Sequence, residues 1–419
     1  MSRLLHALDS ALRDLEQRSL RRRLRIAKRA GRHVHVRDDD GTVSLPLVDL
    51  SSNDYLALSD HAHLKRTAID AINEHGVGGR ASRLAGGHAP FHEALEHRFA
   101  RFKHAEAAVL FPTGFMANLA ALGALAGPGD LICMDKLNHA SLIDAARASG
   151  ATVRTFAHLN YDQLERILHR AYCSKPGGPG LGAHTAAGAG KTFIVTDAVF
   201  SMDGTVAGLP RLVDVAVRFD AMLIVDEAHA TGVLGPTGAG LAEHQGVADR
   251  VDVVISTASK ALGGLGGIVS ARQVVIDTIV NCARAFIYTT AVPPAQVAAI
   301  DAALDVVRDE PARRRRLQQL AALVREQLTN QGWTVPPVST TGERITTPMI
   351  PLIVGDANAA LALSAHLQDH GYLATAIRPP TVPPGTSRVR LSVRTDLEDD
   401  EVTRLVNVLA DARTPMPSR

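Results

Sequence analysis

The chain reads as an α/β layered fold built on a mostly parallel sheet. Three observations predict it. From about residue 60 to 290, short apolar runs alternate with amphipathic segments, the pattern of strands linked by crossover helices. Several polar clusters fall at the carboxyl ends of those runs, where open α/β sheets place ligands. A length of 419 residues exceeds one typical core, so a large domain with smaller attached units is expected.

Residues 1–20 predict an amphipathic helix, because Leu4, Leu5, Leu8, Leu12 and Leu15 recur at helical spacing. Residues 43–50 predict a strand. Further strands are expected at 107–111, 130–134, 152–156, 192–196, 221–225, 251–256 and 267–270. The Gly/Ala/Pro-rich stretch 174–191 interrupts the pattern and is expected to be a mobile surface loop. After Pro293-Pro294 a long helical stretch leads to a C-terminal unit with strands at 348–353, 373–377 and 388–393. The expected division is a small N-terminal segment (1–59), a large central domain (60–292) and an α+β C-terminal domain (293–419).

An apolar content of 46% and a mean hydropathy of +0.04 describe an ordinary soluble globule. No apolar run approaches the roughly 18 residues that span a bilayer, and the N-terminus lacks a signal-peptide core. Cys133, Cys173 and Cys282 show no pairing pattern and read as reduced thiols of a cytoplasmic protein. A net charge of +2 exerts no global pull on nucleic acid. The runs Arg21–Arg23 and Arg313–Arg316 read first as solvated helix faces.

The chemistry concentrates at strand ends. Lys260 follows an apolar run inside a small, hydroxyl-rich, glycine-rich turn, with Thr257 three residues before it. An amine held there can lose its proton and attack a carbonyl carbon. Asp226 and His229 end another apolar run. Read alone, Asp226 is a helix N-cap and Lys260 a surface lysine. Together, a lysine, an acid and a histidine on neighbouring strand ends are what pyridoxal 5'-phosphate (PLP) requires. The lysine forms the Schiff base, and the acid keeps the pyridine nitrogen protonated. Gly114 and Phe115 open a helix after a strand, a seat for phosphate. His139 follows the next strand, where it can cover an aromatic ring and move protons. Ser201, after a third, can bond a ring hydroxyl.

Two decoys fail. Gly188-Ala189-Gly190-Lys191-Thr192 ends like a P-loop, but Thr185 stands where that pattern needs glycine, and no strand leads in. Gly263–Gly267 lies between a lysine turn and a strand, the wrong order for a dinucleotide fingerprint. No metal ligand set is assigned.

As a set, these motifs resemble the α-oxoamine synthases, PLP enzymes of fold type I. The likeness runs from about residue 20 to the end. It rests on Ser52-Asn53-Asp54-Tyr55-Leu56, the glycine-rich segment Gly76–His88, Thr113-Gly114-Phe115, Asn138-His139-Ala140-Ser141, Phe200-Ser201-Met202-Asp203-Gly204, Asp226–Gly232 and Ser259-Lys260-Ala261. Residues 376–392 look like the biotin-pathway member, which joins L-alanine to a pimeloyl thioester on CoA or a carrier protein.

The resemblance implies roles. Lys260 holds PLP and acts as base, Asp226 pairs with the pyridine nitrogen, and His139 stacks on the ring. Ser201 and His229 serve the ring oxygen, Thr257 the phosphate, and Gly114 and Phe115 the cofactor's other flank. Arg378 clamps the amino-acid carboxylate, with Thr381, Asn53 and Arg21 also at the substrate. It further implies a homodimer in which Thr289-Thr290 reach the partner's phosphate. The sister reactions (glycine with acetyl-CoA, serine with a long acyl-CoA), an aminotransferase and a PLP-free scaffold are the rival readings.

Overall fold

The computed structural model describes residues 3–37, 41–173, 190–339, 342–343 and 345–413. The expected loop at 174–191 therefore lies almost wholly outside the described residues. The described strands are β1 (Ile26–Ala30), β2 (His33–Arg37), β3 (Leu47–Asp49), β4 (Ala107–Phe111), β5 (Leu131–Asp135), β6 (Thr152–Phe156), β7 (Thr192–Asp197), β8 (Met222–Asp226), β9 (Val253–Thr257), β10 (Gly267–Ala271), β11 (Met349–Gly355), β12 (Tyr372–Leu373), β13 (Thr375–Ile377) and β14 (Ser387–Ser392).

Seven of them form the central sheet in the order β4-β10-β9-β8-β7-β5-β6. From β6 to β9 every pairing is parallel, while β10 runs antiparallel to both β9 and β4. Helices cover both faces, so the inner strands read as largely apolar runs, while the edge strand β6 buries only Phe156. Successive side chains alternate between two cores, as strand geometry requires. Val109 and Phe111 enter the core of helices Gly114–Leu125, Ala140–Ala148 and Gln273–Cys282. Ala108 and Leu110 enter the opposite core, against helices Pro90–Phe102, Leu209–Arg218 and Pro294–Asp309.

The C-terminal unit carries a three-stranded antiparallel sheet, β11-β14-β13. A fourth element joins the chain's two ends: β12 pairs in parallel with β3, in the sheet β1-β2-β3-β12.

Several expectations need correction. The strand expected at 43–50 shrinks to Leu47–Asp49, because Ser44 turns its hydroxyl to the Val36 N–H (2.9 Å) and leaves Val43 and Leu45 exposed. The strand expected at 373–377 is two strands serving different sheets. The hairpin β1–β2 was not foreseen; its first strand is wholly exposed and has no apolar alternation. The arginine run at 313–316 is no solvated face. Arg314 is buried and donates to the carbonyls of Val307 and Pro236, Arg313 reaches Glu310 and Arg316 reaches Asp399. Only Arg315 of the four is exposed. The N-terminal helix forms over Arg3–Gln17, yet none of its residues is buried in the single chain.

One buried ion pair braces the turn after β8. Lys103 Nζ donates to Glu227 Oε2 at 2.6 Å and to Thr231 Oγ1 at 2.9 Å, and both ions are almost fully enclosed. Glu227 Oε1 accepts the Ala242 N–H at 2.8 Å. Gly240, at φ 130°, must lack a side chain, since a Cβ there would lie 1.9 Å from Glu227 Oε2. Breaking a buried pair by removing one partner strands the other charge. Lys103→Met is therefore expected to lower stability by about 3–5 kcal/mol, read from the urea midpoint. An unshifted midpoint would contradict this bracing role.

Candidate active site

The parallel strands β5, β7, β8 and β9 end on the same edge of the sheet, and their ends deliver the chemistry. Each strand stops where polar residues replace the apolar run and the chain turns into a helix or loop. A cavity of about 280 Å³ opens there, lined by Thr113, Gly114, Phe115, Asn118, His139, Asp197, Asp226, His229, Thr257 and Lys260, among others. Seven sequence-predicted residues thus meet in one place: Gly114, Phe115, His139, Asp226, His229, Thr257 and Lys260.

Asp226 ends β8 and is 5% exposed. Its Oδ1 accepts the Ala228 N–H and its Oδ2 accepts Asn118 Nδ2, both at 2.8 Å. The same Asn118 amide donates to Ser141 Oγ at 2.8 Å, tying the helix Gly114–Leu125 to the helix that His139 caps. Asn138 stitches that cap to β7: its Nδ2 donates to the Val195 carbonyl at 2.9 Å, and its Oδ1 accepts the Asp197 N–H at 3.2 Å. The His139 N–H donates to Asp197 Oδ2 at 2.7 Å. Burial, reinforced by the charge of Asp226, pushes the Asp197 carboxyl well above the usual carboxylate range.

Lys260 lies in the turn after β9, half-buried, with its carbonyl accepting the Gly263 N–H at 2.9 Å. Burial pulls its amine down from 10.5 to about 8, against the opposing pull of Asp226 and Asp197 and with help from Arg390. His229 is pushed well below its usual value, first by burial and then by the charges of Lys260 and Arg390, so its ring is neutral.

The cavity fits PLP. An amine and a buried carboxylate share it, and one wall is the N-terminal turn of Gly114–Leu125, whose first N–H groups lack intrahelical partners. Thr257 and Ser259 add hydroxyls 2.8 Å apart at that wall. Gly114 lets the helix start close on β9, because a Cβ there would already lie 3.3 Å from Thr257 Cβ. Asn118 Oδ1, buried and without a partner among the described residues, keeps an acceptor in reserve beside Asp226.

The remaining expected residues sit outside this cavity in the single chain. Ser201 is half-buried and gives its carbonyl to Arg390 Nη1 at 3.2 Å. Asn53 accepts from Arg390 Nη2 at 3.0 Å. Arg378 donates to the Ser19 carbonyl. Thr381 is exposed and accepts from Arg22 at 3.2 Å, so Arg22 rather than Arg21 reaches it. Arg21 pairs with Glu16 at 3.2 Å on the surface. Thr290 bridges to Ser82.

Sequence reasoning missed Asn118, Asp197, Tyr55 and Arg390. Arg390 is 8% exposed on β14, and its Nε has no partner among the described residues. Two arginines at 388 and 390, alternating with Val389 and Leu391 in one strand, were the available signal.

Residues 46–409 match the family model for aminotransferase class I and II. The chain is 42% identical to the 8-amino-7-oxononanoate synthase of Gluconacetobacter diazotrophicus, over 98% of each chain. Among solved structures, 8-amino-7-oxononanoate synthase from Francisella tularensis superposes with a TM-score of 0.71 at 27% identity, covering 87% of this chain and 97% of that one. Serine palmitoyltransferase from S. paucimobilis with bound PLP–myriocin superposes with a TM-score of 0.85 over 98% of each chain; at 24% identity it shows the fold alone. The expected α/β architecture is therefore that of fold type I PLP-dependent transferases. The chain belongs to the aminotransferase class I and II family and, within it, to the PLP-dependent α-oxoamine synthases that include 8-amino-7-oxononanoate synthase.

Proposed function

We propose that this chain is an acyltransferase that condenses L-alanine with pimeloyl-CoA, or the corresponding carrier-protein thioester, releasing 8-amino-7-oxononanoate, CO2 and the free thiol in biotin biosynthesis. The observation that carries this is the cavity uniting Lys260, Asp226, His139 and His229, in a chain related to such synthases along nearly its whole length.

When bound, PLP supplies an electron sink for negative charge on the amino-acid α-carbon. Lys260 would hold it covalently and would be the base that takes the Cα proton of alanine. The Cα–acyl bond then forms as the C–S bond breaks, the carboxylate leaves as CO2, and Lys260 returns a proton to Cα. Such general acid–base work contributes typically about 10²–10⁴-fold. Asp226 would pair with the ring nitrogen, His139 would cover the ring, and Ser201 and His229 would serve the ring oxygen. Thr257 and the Gly114–Phe115 N–H groups would take the phosphate. Asn53, Arg378, Thr381 and Arg21 serve the substrates. Arg390 joins them as a buried guanidinium with a donor to spare.

We read the working form as a cytoplasmic homodimer. No helix among the described residues is long and apolar enough to cross a membrane. The cavity residues Phe115 and Leu265 remain 43% and 47% exposed, and the leucines of helix Arg3–Gln17 are uncovered, surfaces that a second chain would bury. Thr289 and Thr290 would face the partner's phosphate.

The decisive experiment incubates the protein with PLP, L-alanine and pimeloyl-CoA and identifies the product by mass. Glycine with acetyl-CoA and serine with a long acyl-CoA run in parallel. Product only from a parallel arm would move the assignment to a sister reaction. Two further results are expected. Arg390→Ala raises the alanine KM about 10- to 100-fold, the worth of a hydrogen bond to a charged group, and Arg378→Ala raises it less; the reverse order would return the clamp to Arg378. Only a neutral amine attacks an aldehyde. The rate of PLP capture by the cofactor-free chain should therefore rise with pH up to about 8 and then level off. A rate still climbing towards 10.5 would mean that burial does not shift Lys260.

A further inference from the structure

At one wall of the cavity, four polar groups fix the directions of each other's protons. Asn118 Nδ2 lies 2.8 Å from both Asp226 Oδ2 and Ser141 Oγ. A carboxylate oxygen only accepts, so Asn118 turns its NH2 group to Asp226, and the second hydrogen of that group goes to Ser141 Oγ. The Ser141 oxygen is thus already an acceptor. Its own proton has one bonded acceptor among the described residues, His139 Nδ1 at 2.7 Å. The Ser141 backbone N–H aims at the same nitrogen at 3.3 Å, where the His139 side chain caps the helix Ala140–Ala148. Asn118 is 2% exposed and Ser141 1%, so water does not compete for these contacts.

A proton on Nδ1 would face the Ser141 N–H hydrogen to hydrogen and leave the Ser141 hydroxyl proton without an acceptor. We propose that Ser141 is a positioning residue for His139: backed by Asn118, its hydroxyl donates to Nδ1, and the neutral ring carries its proton on Nε2. The ring borders the cavity, and its hydrogen bonds among the described residues all end at Nδ1. Its free edge therefore meets a ligand as a hydrogen-bond donor and offers it no lone pair. An anionic or carbonyl oxygen fits that edge. A group that must give up a proton does not, so base work stays with Lys260. The start of a helix disfavours a positive ring. Enclosure also pulls His139 below its usual 6.5, with Asp226 opposing and Lys260 assisting. Because the same Asn118 amide bonds Asp226, one side chain aligns both the acid and the histidine.

The tautomer is a property of the chain alone; its effect on ligand binding rests on the reading of this cavity as the PLP site. The test uses the full-length protein with 15N-labelled histidine, without PLP, at about pH 8, where such a ring is neutral. The His139 signals are assigned by their loss in His139→Gln. The expected spectrum shows a protonated Nε2 and an unprotonated Nδ1. In Ser141→Ala only the backbone N–H still holds Nδ1, so both tautomers appear. PLP, followed by fluorescence titration, then binds about 2- to 10-fold more weakly, as for one lost hydrogen bond. A wild-type ring protonated at Nδ1 would overturn the proposal, as would a Ser141→Ala protein with unchanged spectrum or unchanged PLP affinity. Should Ser141→Ala fail to fold, the wild-type spectrum decides by itself. Borohydride trapping at Lys260 tests the cofactor reading separately, so the two can fail independently.

Discussion

Lys260→Ala is expected to lower turnover by at least about 10⁴-fold, because the substitution removes both the covalent anchor and the base. Borohydride should then add no pyridoxyl mass to the protein. The turn itself should survive. Its backbone bonds, Ala258 N–H to Gly266, Gly263 N–H to Lys260 and Gly264 N–H to Ala258, use no side chain. Stability should not fall either. The amine is depressed in the fold, so below about pH 8 the native state carries an ammonium in surroundings that disfavour it. Alanine abolishes that cost. An inactive variant with an undiminished melting temperature thus separates chemistry from folding. Retained turnover would end the assignment of Lys260 and, with it, the proposed reaction.

Asp226→Asn is expected to cut kcat/KM by about 10²- to 10⁴-fold. This follows from the roughly 3–5 kcal/mol lost when one partner of a buried charge pair is removed, at 1.36 kcal/mol per decade of rate. Asparagine keeps the shape and the acceptor for Ala228, but places an amide where Asn118 now donates. The negative charge that raises the Lys260 amine is also lost. The pH midpoint of PLP capture should therefore move below about 8, a change that a purely structural role would not produce. A rate within threefold of wild type, with an unmoved midpoint, would show that Asp226 is only a cap for the turn.

The central sheet was legible because its strands, apart from the edge strand Thr152–Phe156 where only Phe156 is buried, are enclosed on both faces. Ala107–Phe111 and Thr152–Phe156 fall where the apolar runs predicted them, and the other central strands begin or end within two residues of expectation. The N-terminal hairpin was not legible for the converse reason. Ile26–Ala30 is fully exposed, so no burial pressure left a pattern in it. The candidate site divides in the same way. Asp226 and Thr257 end strands, Lys260 and His139 follow their strands within four residues, and a strand end in such a sheet points at the ligand edge whatever surrounds it. Asn118 acts from the second turn of a helix and Arg390 from within a strand. Nothing local in the sequence marks Asn118, and the pairing of Arg388 with Arg390 is the one local hint of the other.

By itself, the sequence determined which central strands exist and which reactive side chains stand at or just past their carboxyl ends, because burial and a turn after each strand are local demands on residue type. Only the tertiary structure decided that Asn118 holds Asp226, that Lys103 braces the turn between Asp226 and His229, and that Tyr55 stands between Arg390 and His229. Those pairings join residues more than a hundred positions apart. A hydrogen bond depends on ångström-scale distance and direction, which the packing of three sheets and their helices sets and residue order does not record.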